Sequence, residues 1–311
     1  MKAVLPALAR PLLEADLPGD LDVHWFTDRA SAEAAIADAD IAWVDQQSPA
    51  DTAAIVAQAT TARWVSTIYA GVDAFDLGRL AARGTMLTNG TGINAAAVAD
   101  YAVMGVLVAA KRFDQVVRQA DRREWTTAPP GSIELDGSRA LVIGYGTIGR
   151  LIGARLAAFG VVVTGVTRSG RDGTLGPDDW RPHLPASDWV ILAAPGTSDT
   201  AAMIGAAELA AMRPEAWLIN MARGDMVDQD ALIAALLARR IGGAFLDTVT
   251  PEPLPADHPL WQAPGVIHSL HLSGRSQRSM FAKAAQLFLA NLAAFRTGAP
   301  LANQVDLQRG Y

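Results

Sequence analysis

The sequence predicts an α/β protein of about two domains, built on parallel sheets with helices on both faces. Three observations predict it. Short β-type runs alternate with alanine-rich helical stretches from end to end, the pattern of βαβ units. The alternation comes in two series separated by a turn-rich segment, and 311 residues suit about two domains at ~150 residues each. Half the residues are hydrophobic, enough for two cores and against disorder.

In the first series the strand runs are 3–5, 23–26, 41–44, 64–68 and 86–88, with helical candidates between them such as 31–37 (Ala32, Ala35 and Ile36 apolar) and 76–83. A long helix is expected from 95 to about 123 with Asn94 as its N-cap. Its first half is apolar on nearly every face (Val98, Tyr101, Val103, Met104, Val106, Leu107, Val108), so it is buried on more than one side, by a second domain or a second copy of the chain. Residues 126–137, with Pro129, Pro130, Gly131 and Gly137, read as a surface connection. The second series has strand runs 140–143, 161–166, 189–193, 217–220, 243–246 and 266–269. Its helices are 148–159, 206–212 and 229–239, the last capped by Asp228, and a final helix covers about 276–295.

Composition excludes several functions. There is no cysteine, hence no disulfide framework, thiolate metal site or Cys nucleophile. A net charge of −6 argues against nucleic-acid binding, which needs a basic face. The longest apolar run, 102–110, is far short of the ~18–20 residues that span a bilayer, and Pro6 and Arg10 leave too short a core for a signal peptide. The expectation is a cytoplasmic protein with no membrane or nucleic-acid partner.

The sharpest local signal is Gly144-Tyr145-Gly146-Thr147-Ile148-Gly149. A lone G-x-G-x-x-G is weak. Here an apolar strand precedes it, and a helix with apolar Ile148, Ile152, Leu156 and Phe159 follows. Gly144 permits the tight turn, Gly146 lets backbone approach a pyrophosphate, and Gly149 lets helix and strand pack closely, which together predict dinucleotide binding. The next strand ends in Thr167-Arg168-Ser169-Gly170-Arg171. An NAD site usually places Asp or Glu there to accept from the ribose 2′-OH. A guanidinium at Arg168 with hydroxyls at Thr167 and Ser169, and Arg171 close behind, suits a 2′-phosphate instead. NADP(H) is therefore expected over NAD(H).

Further motifs follow in order. Asn220-Met221-Ala222-Arg223-Gly224-Asp225-Met226-Val227-Asp228 resembles N-x-A-R-G-x-x-V-D, and the stretch from Leu246-Asp247 through Glu252-Pro253-Leu254-Pro255 resembles L-D-V-F-x-x-E-P-L-P. His258-Pro259-Leu260-Trp261 fits, Ser269-Leu270-His271-Leu272-Ser273-Gly274 is similar to T-P-H-x-x-G, and Ala70-Gly71-Val72-Asp73, the stretch from Asn94 to Asp100 and Pro300 to Asp306 match too. With the glycine fingerprint mid-chain, the sequence resembles the D-isomer-specific 2-hydroxyacid dehydrogenases over nearly its whole length, with glyoxylate and hydroxypyruvate reductases among them.

The resemblance implies a Rossmann dinucleotide-binding domain (94–280) and a discontinuous flavodoxin-like substrate-binding domain (1–93 and 281–311), with the active site in the cleft between them and a homodimer through the helix after Asn94. It implies reduction of a small 2-oxo acid to the D-2-hydroxy acid. Arg223 would hold the substrate carboxylate as a planar fork, His271 would pass the proton to and from the substrate oxygen, and Glu252 would pair with His271 and favour its imidazolium form. Tyr69 and the backbone N–H groups of Ala70 and Gly71, with Arg223 and His271, would contact substrate. Cofactor contacts would come from Gly144, Gly146, Thr147, Ile148, Gly149, Thr167, Arg168, Ser169, Arg171, Ala194, Pro195, Met221 and Asp247, the last accepting from the nicotinamide carboxamide. No metal is implied.

Three departures stand out. Asp100 replaces a Glu, Thr248-Val249 replaces Val-Phe, and Leu270 replaces the proline before the catalytic His, leaving that backbone less fixed. Among five histidines, His268 is the competitor. An offset of three on a strand would turn it to the opposite face from His271. Substrate discrimination is expected from Tyr69 and the segment Trp43 to Gln46, whose bulk suggests a small substrate. Other readings on these residues are a dinucleotide-sensing corepressor on the same fold, a relative that oxidises formate or phosphite, and a methyltransferase. The last has no use for an Arg-Glu-His set, and turnover of a 2-oxo acid separates the first from an enzyme.

Overall fold

A computed structural model describes residues 1–275 and 277–310. The chain divides into two compact units, 1–94 with 277–311 and 95–276.

The first unit is built from β1 (Lys2–Pro6), α1 (Arg10–Leu13), β2 (Asp22–Phe26), α2 (Arg29–Ile36), β3 (Ile41–Ala42), α3 (Pro49–Val56), β4 (Trp64–Ser66), α4 (Leu77–Arg83) and β5 (Met86–Thr88). All strands pair in parallel in the order β2-β1-β3-β4-β5, the flavodoxin-like order. Asp28, Ser48 and Asp76 cap α2, α3 and α4, each accepting from a first-turn N–H. Alternate strand residues belong to different cores. Val4, Ala42, Val65 and Leu87 lie in one, while Ala3, Leu5, Ile41 and Trp64 lie in the other. A parallel sheet covered on both faces needs apolar residues at every position, and a period of two deals them alternately to each side.

The second unit opens with α5 (Ala95–Lys111) and α6 (Phe113–Asp121), followed by β6 (Arg139–Ile143), α7 (Thr147–Ala157), β7 (Val162–Val166), β8 (Trp189–Leu192), α8 (Ala206–Ala211), β9 (Trp217–Asn220), α9 (Gln229–Leu237), β10 (Gly243–Leu246) and β11 (Val266–His268). The parallel sheet runs β11-β10-β9-β8-β6-β7. Leu175 adds a single parallel bridge to Val166 at the β7 edge, so a third strand of the Rossmann order survives as one residue. Chain order reverses at β6, which pairs with β7 on one side and β8 on the other. That switch point is where open α/β sheets bind ligands. Two cores again share the strands: Leu141, Ile143, Val190 and Leu218 face one, and Val142, Trp189, Ile191 and Phe245 the other.

The chain then returns to the first unit as α10 (Met280–Thr297). Phe288 of this helix stacks on Trp64 at 4.9 Å and on Trp43 at 5.4 Å between ring centroids, closing the second face of that sheet.

The single helix expected over 95–123 is two helices. Arg112 breaks it at φ 48°, ψ 42°, in the left-handed region. The returning connection explains the break. Ile133 N–H donates to Ala110 O, taking the carbonyl that a continuous helix would use, and Lys111 Nζ donates to Ile133 O at 2.8 Å. Gly131 lies so close that a Cβ there would sit 2.5 Å from Lys111 C. Helix α3 has no counterpart among the helical segments named from sequence. Asp228 caps α9 as expected, accepting from Ala231 N–H, and Asn94 Oδ1 accepts from Gln277 Nε2 at 2.6 Å. Among the described residues no helix is long and apolar enough to cross a membrane.

Tyr145 shows why two further glycines are needed near the switch point. A Cβ on Gly153 of α7 would lie 2.4 Å from the Tyr145 hydroxyl, and one on Gly165 of β7 would lie 2.4 Å from the ring. Gly165→Ala should therefore destabilise the protein by about 1–3 kcal/mol through overpacking. Gly19→Ala, where an added Cβ meets nothing within 4 Å, should leave the melting temperature nearly unchanged. Thermal melts of the two variants measure the contrast, and equal melting temperatures would contradict it.

Candidate active site

The glycine loop joins β6 to α7. Gly144 has φ +95°, and its backbone packs so tightly on the chain after β8 that a Cβ would lie 2.2 Å from Ala194 N. A Cβ on Gly149 would lie 2.3 Å from Gly144 O, but one on Gly146 would meet nothing within 4 Å. Packing inside the protein thus accounts for two glycines and leaves Gly146 without an internal reason. Gly146 is the N-cap of the eleven-residue α7, whose first turn holds Thr147 and Ile148. Open space over a helix N-terminus is a cradle for the pyrophosphate of a dinucleotide, so these residues fit the cofactor that the fingerprint implies. Ala194 and Pro195 follow β8, and Met221 follows β9, along the same C-terminal edge of the sheet.

At the end of β7, Thr167 N–H donates to Leu175 O. The Thr167 hydroxyl is engaged within its own loop, 2.7 Å from Thr174 Oγ1 and accepting from Gly170 N–H at 3.1 Å. It shapes the loop from which Arg168, Ser169 and Arg171 extend, all exposed.

Arg223 follows β9. The buried Asn220 folds this corner: its Nδ2 donates to Arg223 O at 2.9 Å and its Oδ1 accepts from Ala222 N–H at 3.0 Å. Arg223 Nη1 donates to Ala222 O at 2.8 Å. A Cβ on Gly196 would lie 2.8 Å from Arg223 Cγ, and one on Gly224 would lie 2.1 Å from Val249 C. Both glycines let neighbouring loops close on Arg223. Neither glycine carries this reason in its local sequence, although Gly196 directly follows Ala194-Pro195.

His271 and Glu252 form a pair, with Nδ1 and Oε2 2.6 Å apart, and Glu252 Oε1 accepts from Val249 N–H at 3.0 Å. Burial would raise the Glu252 pKa. The hydrogen bond and charge of His271, the Val249 N–H and the charge of Arg223 outweigh it and hold the carboxyl below its ordinary range. Arg223, Glu252 and His271 therefore form one electrostatic cluster on the second unit.

The turn carrying His271 differs from the expectation. Leu270 has φ +57° and His271 φ +54°, a conformation closed to proline, so the family's proline could not occupy position 270 in this turn. Nor is the backbone loose. Asp247, 3% exposed, accepts from Ser269 Oγ at 2.6 Å and from Ser273 Oγ, while its carbonyl accepts from His271 N–H at 2.7 Å. One buried carboxylate spans the turn. β11 ends at His268, so strand alternation is not what separates the two histidines. His268 instead packs on the Trp261 ring at 4.7 Å, and burial lowers its pKa despite a hydrogen bond at Leu260.

On the first unit, the loop after β4 carries Tyr69, Ala70 and Gly71. Tyr69 Oη donates to Gln46 O at 2.6 Å. The carbonyls of Tyr69 and Ala70 accept from Gly90 N–H at 2.9 Å and Asn89 Nδ2 at 2.8 Å. The N–H groups of Ala70 and Gly71 donate to none of the described residues. Trp43, expected as a source of substrate discrimination, is a core residue at 1% exposure. Among the described residues no group of three or more His, Cys, Asp or Glu could hold a metal.

Residues 103–273 match the family model for the D-isomer specific 2-hydroxyacid dehydrogenase NAD-binding domain. The chain is 31% identical over 245 residues to a glyoxylate reductase of Korarchaeum cryptofilum, covering 76% of this chain and 74% of that protein. It is similar in structure to a D-isomer specific 2-hydroxyacid dehydrogenase family protein of Aeromonas salmonicida, with TM-score 0.88 and 30% identity, covering 98% and 99% of the two chains. It is also similar to an NADPH-dependent glyoxylate/hydroxypyruvate reductase of Sinorhizobium meliloti in complex with NADP and malonate, with TM-score 0.80 and 26% identity, covering 99% and 98%.

The space over Gly146 generates a test. Gly146→Ala should leave the melting temperature of the free protein within a few degrees of the parent and weaken dinucleotide binding at least tenfold, because the added methyl fills the cradle. Fluorescence titration with NADPH reads the second effect, and undiminished affinity would show that the cradle is not used.

Proposed function

The chain belongs to the D-isomer specific 2-hydroxyacid dehydrogenases, and from that premise we propose that it reduces a small 2-oxo acid of the glyoxylate or hydroxypyruvate type to the D-2-hydroxy acid, with NADPH preferred over NADH. The observation that carries this reading is the His271–Glu252 pair at 2.6 Å within the electrostatic reach of Arg223. Arg223 holds the substrate carboxylate and polarises the carbonyl oxygen. His271 donates the proton to that oxygen in reduction and recovers it in oxidation, and Glu252 stabilises the charged imidazole before the transfer. When bound, the nicotinamide ring supplies the hydride to the carbonyl carbon. Tyr69 and the N–H groups of Ala70 and Gly71 are assigned to the substrate, the N–H groups to its carboxylate. Asp247 is assigned to the nicotinamide carboxamide beside its two serine partners. Initial rates at 340 nm with a panel of 2-oxo acids test the reading, and no turnover of any of them would refute it.

The cofactor preference is supported by the exposed Arg168, Ser169 and Arg171 after β7 and by the missing acid at position 167. The similar Sinorhizobium protein is an NADPH-dependent glyoxylate/hydroxypyruvate reductase. A homodimer is supported by apolar side chains that the second unit leaves uncovered. Met104, Leu107, Val108, Phe113 and Phe159 line one groove, with Met104 40%, Phe113 54% and Phe159 45% exposed. Exposed apolar surface of this kind marks an interface, and a second copy is the occupant assigned here. Cytoplasmic location completes the proposal.

Arg223→Gln should lower kcat/KM for reduction more than tenfold with NADPH affinity retained, since a charge-assisted contact is worth ~1.5–3 kcal/mol. His271→Ala should cost roughly 10²–10⁴ in kcat and His268→Ala little. Glu252→Gln should lower kcat for reduction about tenfold or more with NADPH affinity retained, because the carboxylate that pairs with His271 Nδ1 is lost. Arg168→Ala and Thr167→Asp should each shift the NADPH/NADH ratio of kcat/KM toward NADH, by about 10-fold or more for the first. Light scattering should give a dimer at micromolar concentration, and Met104→Asp with Phe159→Asp should give a monomer.

A further inference from the structure

We propose that Asp45 is a positioning residue for the substrate loop 67–71, its carboxylate holding the backbone in the shape that leaves the Ala70 and Gly71 N–H groups donating to none of the described residues. The inference rests on the reading that these two groups receive the substrate's carboxylate.

Three neutral donors converge on Asp45. Ile68 N–H and Trp43 Nε1 donate to Oδ2, each at 2.7 Å, and Thr67 Oγ1 donates to Oδ1 at 2.5 Å. The anchor is rigid because Trp43 is stacked on Phe288 in the core. The Thr67 hydroxyl passes the constraint one residue further by accepting from Tyr69 N–H at 3.2 Å. From the other side, Gly90 N–H and Asn89 Nδ2 hold the carbonyls of Tyr69 and Ala70. The loop is fixed at its N–H groups by Asp45 and at its carbonyls by the segment after β5. The first N–H groups beyond this frame are those of Ala70 and Gly71.

Stability alone does not account for a carboxylate here. Burial pushes the Asp45 pKa up to about 6 against all three hydrogen bonds, so keeping the group ionised at neutral pH carries a desolvation cost that a neutral side chain would avoid. What the carboxylate uniquely supplies is two acceptor oxygens with no donor of its own. An asparagine would turn an NH₂ group toward at least one of the converging donors.

The experiment compares parent and Asp45→Asn. Hydrogen exchange of the peptide spanning 66–71 should speed at least tenfold, with peptides of 140–160 unchanged. With saturating NADPH, KM for glyoxylate should rise at least tenfold, kcat should stay within threefold and NADPH affinity should be unaltered. A purely structural role would move kcat, KM and cofactor affinity together, or the melting temperature alone, and would overturn the proposal. So would unchanged exchange and KM in a folded variant. Should Asp45→Asn fail to fold, Thr67→Val removes one donor and carries the same test at a threefold rise in KM. A parent that turns over no 2-oxo acid refutes the functional reading, and the exchange measurement still decides whether Asp45 anchors the loop. Raised KM in Arg223→Gln without any in Asp45→Asn sinks this inference and leaves that reading standing.

Discussion

Every strand in both sheets is parallel, and a parallel strand can be followed by its parallel neighbour only if the chain crosses a face of the sheet. That constraint organises the molecule. It requires helices on both faces, which is why strand residues are divided between two cores in each unit. It also sends every strand's C-terminal end into a loop on the same edge. The glycine loop after β6, the Arg168 loop after β7, Arg223 after β9, Asp247 after β10 and the His271 turn after β11 share one edge because their strands are parallel neighbours. Side chains far apart in sequence gather without any dedicated contact to bring them together.

Along that edge, placement is refined by polar groups that are themselves buried. Asn220 folds the corner carrying Arg223, and Asp247 spans the turn carrying His271. Two consecutive non-glycine residues in the left-handed region cost of order 1–3 kcal/mol each and persist only where the surroundings over-determine them. Asp247 is that surrounding. A carboxylate gripping serines on either side of Leu270-His271 does by hydrogen bonding what a fixed φ does where proline precedes the histidine.

The parts legible in the sequence were those whose physics is local. A glycine needed by a turn, an arginine following a strand and a carboxylate between prolines each carry their reason within a few residues, and ordered motifs raise their joint weight. The α/β class followed from periodicity for the same cause. Less legible were features made by tertiary contact. The break at Arg112 comes from the connection near Gly131 taking the Ala110 carbonyl. Trp43 read as a discriminating side chain because bulk near a loop looks functional, yet its ring stacks on Phe288 from the other end of the chain. Gly196 and Gly224 matter only because Arg223 and Val249 arrive beside them, and the bonds of the Thr167 hydroxyl to Thr174 and Gly170 depend on how its loop closes.

The return of α10 to the first unit has a consequence for how the chain is made. Trp64 leaves the ribosome early, and its covering partner Phe288 emerges only after the whole of the second unit. The first sheet therefore waits with one apolar face bare while the second unit, contiguous in sequence, is free to fold. Domains fold as units during synthesis, and exposed apolar surface is what chaperones bind. This topology makes the first unit the later of the two to be completed, and it ties completion of the loop-bearing sheet to arrival of a helix synthesised after every residue of the Arg223–Glu252–His271 cluster.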